Sequence, residues 1–181
     1  MKKRAAMELS MSTIVIVVLS MSMLILGLVL VNSLFKGAGS VVDMTQSQLT
    51  ERISNIFGKE EKLAVYPTNR EISASPGKLA GFGIGIKNLR QGKNDNTFSY
   101  EVIVSDPDIE KKCGVSAEEA LSWISTGRAE QGISIAPKEL VAGKVILRVP
   151  EGSELCDFRY RINAMYGDKA YASQLMDVVI E

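Results

Sequence analysis

The sequence predicts an α+β protein: a long N-terminal hydrophobic helix, followed by an all-β immunoglobulin-like sandwich with a short helical insertion. Three observations carry this. A charge-free apolar run fills Ile14 to Val31; an apolar period near 3.6 continues beyond it to about Phe57; after Gly58 the period falls to 2, in short segments separated by Pro, Gly and Asn. The division that follows is 1–6 as a basic leader, 7–57 as the helix, with its membrane part at about 9–35, and 58–181 as an extracellular β-sandwich domain.

The apolar run reads IVIVVLSMSMLILGLVLV, long enough as a helix to span a hydrocarbon core of roughly 30 Å. A buried core helix is usually shorter and amphipathic, whereas this run is apolar on every face. Lys2, Lys3 and Arg4 precede it and a lone Lys36 follows. The positive-inside rule therefore places the N-terminus in the cytoplasm and the rest of the chain outside the cell membrane. A cleaved secretory signal would show a shorter apolar centre and a small-residue cleavage site, but Asn32-Ser33-Leu34-Phe35 follows here, so the helix is expected to be retained. Beyond it, Leu34, Ala38, Val41 or Val42, Thr45, Leu49, Ile53 and Ile56 extend the helix amphipathically, to a length of roughly 75 Å from Met7. Gly37 and Gly39 are candidate kinks and Gly58 a candidate stop.

Composition removes several function classes. The 181 residues hold one ordinary domain plus an anchor. With 21 basic and 21 acidic residues there is no net field to attract nucleic acid, so no nucleic-acid partner is expected. Histidine is absent, which takes away the commonest general base and metal ligand. No nucleophile motif, cofactor motif or metal cluster replaces it, and neither an enzyme nor a cofactor is expected. Cys113 and Cys156, the two cysteines, both fall in the segment placed outside, where disulfides persist. Paired, they close a loop worth roughly 4 kcal/mol in the chain-entropy model; the alternative is two buried free thiols.

The N-terminal stretch MKKRAAMELSMSTIVIVVLSMSMLILGLVLV resembles the class III signal peptide of archaeal type IV pilin-like proteins, pilins and archaellins among them. In that family a membrane peptidase of the prepilin type cuts a short basic leader just before the hydrophobic helix. The resemblance implies processing at Arg4-Ala5-Ala6-Met7, between Ala5 and Ala6 or one residue later. The alternative is an uncut signal-anchor, in which KKR is only the cytoplasmic flank. After a cut, the freed helix would leave the bilayer lipid and pack against copies of itself in a filament core. Ala5 stands where the family more often has Gly, and Glu8 lies closer to the new N-terminus than the acidic residue of bacterial pilins. Glu8 either neutralises the amine of a neighbouring subunit or sits at a helix N-terminus that favours acidic residues.

The outer domain reads as short strands. Lys62 to Tyr66 stops at Pro67; Ala80, Phe82, Ile84 and Ile86 alternate, and so do Phe98, Tyr100, Val102 and Val104 after the polar stretch 90–96, which suggests a hairpin. Ile133 to Ile135, Val145 to Val149, Cys156 to Ile162 and Met176 to Ile180 follow. Cys113 is placed in a loop. Ser116 to Ser125 reads as a helix, with Ser116 and Glu119 as a capping box. Gly81, Gly83 and Gly85 alternate within a strand, so they mark a close approach of another strand or backbone rather than a phosphate loop. Asp106, Asp108 and Glu110 lack a calcium-loop spacing and read as a solvated turn. No Asn-x-Ser/Thr sequon is present. The resemblance implies a structural filament subunit; the alternative is a single-pass surface protein whose sandwich binds a partner as adhesin or receptor.

Overall fold

The computed structural model describes residues 2–36, 41–90 and 97–181, with side chains in the first helix described from Thr13 to Leu30. The chain forms two compact units, Met1–Gly39 and Ser40–Glu181. In the first, α1 runs from Lys2 to Lys36. The helix expected to continue to Phe57 is instead two elements: residues 41–43 form a turn, and α2 spans Gln46–Ile56. Local hydrogen bonding explains the break. The Thr45 hydroxyl accepts from the Gln48 amide at 3.3 Å while Gln48 Oε1 accepts from the Thr45 amide at 2.9 Å, a complete capping box that starts a new helix. The Lys144 ammonium donates to the carbonyls of Val42 and Met44, groups a continuous helix would have used internally. Gly37 and Gly39, the candidate kinks, lie outside the described residues.

Among the described residues nine strands follow: β1 Leu63–Tyr66, β2 Glu71–Ala74, β3 Leu79–Lys87, β4 Thr97–Val104, β5 Ile124–Thr126, β6 Ala129–Ser134, β7 Leu140–Arg148, β8 Asp157–Tyr166 and β9 Lys169–Ile180. They build two facing sheets, ordered β1-β3-β7-β5 and β2-β9-β8-β4-β6. Pairing is antiparallel except for β2, which runs parallel to β9. Between the sheets lie the residues whose alternation marked them: Phe82, Ile84 and Ile86 meet Phe98, Val102, Phe158, Tyr160, Ile162, Met176 and Val178, all within 2% of full burial.

The hairpin expected between β3 and β4 does not form; the two strands lie in different sheets. Both hydrogen-bonding edges of β3 are taken, by β1 and β7, and β4 is held between β8 and β6. Asn88 fixes the departure from β3. It is fully buried, its side-chain amide donates to the Ile135 carbonyl at 2.8 Å, and its backbone bonds to Glu139 and Lys138. β2 and β5 were not expected. The expected helix through Ser125 stops early, as α4, Ala117–Ser122, because Ile124 and Thr126 pair with β7. Ser116 caps it through the Glu119 amide at 3.1 Å, half of the expected box; among the described residues no return bond from the Glu119 carboxylate forms. A further short helix, α3, spans Ile109–Cys113, where a loop was expected.

Helix α2 covers the outer face of the four-stranded sheet. Leu49 and Ile53, both fully buried, form a second core with Val41 and Ala142, flanked by Phe57, Tyr66 and Leu140. The alternating glycines make this possible. A Cβ on Gly83 would stand 2.5 Å from Leu49 Cδ1, and one on Gly85 would stand 2.2 Å from Ile53 Cγ2 and 2.9 Å from the Phe57 ring. What approaches the bare strand is thus a helix, not another strand.

Leu49 can withdraw a terminal methyl, but Ile53 Cγ2 sits on a branched Cβ and cannot. Gly85→Ala is therefore expected to destabilise the sandwich by about 1–3 kcal/mol, with Gly83→Ala milder. Urea unfolding followed by tryptophan fluorescence checks this, with Gly58→Ala, whose added carbon meets only contacts of 3.7 Å and beyond, as the control.

Candidate membrane anchor and interaction surface

The window Thr13–Leu30 of α1 has a mean hydropathy of 2.8 and none of it is buried. Exposure of its large apolar side chains ranges from 47% at Val17 to 77% at Met23. The two serines add little polarity, since the hydroxyls of Ser20 and Ser22 donate back to the carbonyls of Ile16 and Val18 at 2.8 Å. Burial of one such aliphatic side chain is worth about 1.5–3 kcal/mol, so the run as a whole outweighs the stability of an ordinary domain, roughly 5–15 kcal/mol. By length and composition this helix can cross a membrane. Ala5, Ala6 and Glu8 lie within α1 by backbone, and their side chains fall outside those described.

Cys113 and Cys156 form the disulfide, with Cα atoms 5.4 Å apart. Cys113 ends α3 and Cys156 immediately precedes β8, so the bridge ties the α3–α4 excursion to the edge of the strand it crosses. Other bonds fasten the same excursion. Lys112 Nζ lies 3.0 Å from Asp106 and 3.4 Å from Asp157. Its hydrogen bond holds the Asp106 carboxyl below the ordinary value, and Asp106 in turn raises Lys112. Asp108 pairs with Lys111 at 2.8 Å. These carboxylates thus serve local ion pairs at a turn, and among the described residues no three metal-binding side chains converge. The buried Tyr160 hydroxyl donates to the Ala120 carbonyl at 2.6 Å, and Trp123 meets Phe158 edge-on at 5.8 Å between centroids.

A second cluster, around the β8–β9 turn, was not anticipated from the sequence. Arg90 lies 3.8 Å from the centre of the Tyr166 ring, Lys62 lies 5.1 Å from that of Tyr171, and Lys87 lies 5.8 Å from that of Phe57. Tyr171 is fixed by donating to the Lys87 carbonyl at 2.8 Å and accepting from the Leu89 amide at 3.0 Å. The readable signal was Tyr166-Gly167-Asp168-Lys169, a turn joining strands longer than the alternation suggested; Gly167 has φ of +53° there. Elsewhere a cleft of about 190 Å³ edged by Glu61, Arg70 and Gln174 falls below the roughly 300 Å³ at which small-molecule pockets begin.

No family model matches the chain, and no curated protein matches it in sequence. Among solved structures, the chain is similar to the CARDB domain of the PF1109 protein from Pyrococcus furiosus, at 15% identity and a TM-score of 0.41, covering 66% of this chain and 92% of that one. It is also similar to PapD-like domain 7 of human CEP192, at 9% identity and a TM-score of 0.35, covering 66% and 84%. Self-complemented MyfA, the major subunit of Myf fimbriae from Yersinia enterocolitica, aligns at 12% identity and a TM-score of 0.32, covering 67% and 99%. All three scores lie below 0.5, and the two-sheet architecture rests on the strand pairing itself.

Reduction of the Cys113–Cys156 bridge is expected to cost about 2–5 kcal/mol of unfolding free energy, with amide exchange accelerated first in α3 and α4. Denaturant unfolding with and without reductant, paired with hydrogen exchange, measures both. At high pH two buried tyrosines contribute to the pH dependence of stability. Burial, and then the Glu130 carboxylate, pushes Tyr100 up from 10.0 to about 12, and burial raises Tyr160 as well. Because the fold favours the neutral phenols, their contribution is complete below pH 10 and is lost as pH rises through and beyond it. Near-ultraviolet titration should therefore show a tyrosinate signal near pH 12 that Tyr100→Phe removes.

Proposed function

We propose that this chain is a structural subunit of a type IV pilin-like surface filament, anchored in the cell membrane by α1 before assembly. The observation that carries the reading is the bare, all-round apolar surface of Thr13–Leu30, joined to a sandwich with a complete core of its own. Lipid covers that surface first, and the helices of other copies cover it afterwards. Processing by a prepilin-type peptidase at Ala5 or Ala6 would remove the basic flank that holds the helix at the cytoplasmic face, and Glu8 would then meet a neighbour's terminal amine. The basic flank and the disulfide support a cytoplasmic N-terminus with the sandwich outside.

The sheet edges support assembly through the helix rather than through strand addition. β1, β2 and β5 are four, four and three residues long. The longer edge, β6, carries Gly132 at φ +72° and pairs with β4 across a bulge between Phe98 and Tyr100. Short and irregular edges are poor templates for another strand. The spatial strand orders β1-β3-β7-β5 and β2-β9-β8-β4-β6 support an immunoglobulin-like sandwich, with β5 and β6 in the places of D and C′ but in the reverse chain order and with β2 added parallel to β9. The reading assigns this sandwich no catalysis.

A second reading, a single-pass surface protein whose sandwich binds a partner without polymerising, is favoured by the separation of α1 from α2. A helix that ends at Lys36 meets the needs of a simple anchor. Intact-mass analysis of the native protein from its own surface fraction, without reductant, tests both. The expected mass lacks the residues up to Ala5 or Ala6; an unprocessed N-terminus would overturn the filament reading in favour of the anchored binder.

A further inference from the structure

The two ends of the sandwich carry opposite charge. The strand registers define these ends: Leu79 pairs with Arg148 at one and Lys87 with Leu140 at the other, and across the second sheet Asp157 pairs with Val179 and Tyr166 with Lys169. Two further bonds of 2.8 Å agree with this: Gly77 amide to Val149 carbonyl continues the β3–β7 pair at the first end, and Tyr171 hydroxyl to Lys87 carbonyl joins the two sheets at the second.

At the first end, α3, α4 and the β7–β8 loop present Glu110, Glu118, Glu119, Glu151 and Glu154. All are exposed, and among the described residues none is in an ion pair. Of the cations there, Lys111 and Lys112 are already committed to Asp108, Asp106 and Asp157, and the exposed Lys78 and Arg148 are outnumbered by the five glutamates. The second end exposes Lys62, Arg90, Lys138 and Lys169, none of which has a carboxylate within ion-pair distance among the described residues. Glu60, Glu61, Glu139 and Asp168 share this end, but Glu61 is turned back onto the Gly58 amide at 3.1 Å, and with Lys59 and Lys87 the cations outnumber them. Arg90 and Lys62 are held over the Tyr166 and Tyr171 rings, which lowers the entropy lost when they meet an anionic surface.

We infer that sandwiches of neighbouring copies meet end to end, the basic β8–β9 end of one against the acidic α3–α4 end of the next. A neutral chain has no net attraction for its own copies, so only an ordered, polar arrangement brings these charges together. Such a contact is head-to-tail, and head-to-tail contacts that do not close a ring propagate as open arrays. The choice of partner rests on the filament reading. The contact itself involves the sandwich alone, and the short sheet edges leave it unobstructed by strand pairing.

The test uses the full chain in detergent, where α1 is covered and association through it is suppressed. Sedimentation should show self-association that weakens about tenfold or more when salt rises from about 50 to about 500 mM, as exposed charge pairs do. K62E/K169E makes both ends acidic and E118K/E119K/E151K/E154K makes both ends basic. Each variant alone should fail to associate, and an equimolar mixture of the two should associate as the parent does, a rescue that misfolding could not produce. Association indifferent to salt and to both variants, or a mixture no better than its parts, overturns the contact. Binding of soluble polyglutamate that K62E/K169E abolishes, without rescue in the mixture, assigns the basic end to a different acidic partner and overturns it equally. The filament reading stands or falls separately, on the mass of the native N-terminus.

Discussion

The approach of α2 to the bare strand β3 is the contact on which the sandwich's arrangement turns. Leu49, Ile53 and Phe57 occupy the space that side chains at Gly83 and Gly85 would need, and with Val41 and Ala142 they make the outer face of the four-stranded sheet a second core. With one face buried under a helix and the other under the five-stranded sheet, β3 is enclosed on both sides, and its hydrogen-bonding edges are filled by β1 and β7. Nothing of β3 is left for β4, so the chain crosses to the opposite sheet after the pinned Asn88. Strand order, and with it the pair of charged ends, follows from that enclosure.

The same contact decides where the sandwich begins. Lys144 and Gln46 hold the segment before α2 to β7, through the carbonyls of Val42, Met44 and Ala142, so the compact unit starts at Ser40 and not at the last turn of a long helix. Two sets of apolar side chains with different fates therefore follow one another in the chain. Those of α2 are spent on the sheet. Those described in α1, from Ile14 to Leu30, stay exposed.

Much of this was legible because it is local. The all-round apolarity of Ile14 to Val31 is a property of consecutive residues, and so is the alternation that picked out Phe82, Phe98, Phe158, Tyr160 and Val178 as core. The break before α2 was also written locally, as Thr45 three residues ahead of Gln48, but an uninterrupted apolar period across the break concealed it. The α3 helix and β2 are too short to establish a period. β5 is three residues whose strand character comes entirely from pairing with β7.

The division into an apolar helix and a period-two domain, and the faces that its strands bury, are readable from consecutive residues. Side-chain period and hydropathy are set residue by residue, so no partner is needed to read them. Which strands pair, what fills the glycine face and where the charges gather depend on contacts between distant segments. Lys62, Arg90 and Lys169 are distant in sequence, as are Glu118 and Glu151, and each group becomes one surface only after the non-local pairing of β strands has brought loops to a common end. Pairing of that kind depends on which edges remain free once others are filled, a property of the whole sheet that no single segment carries.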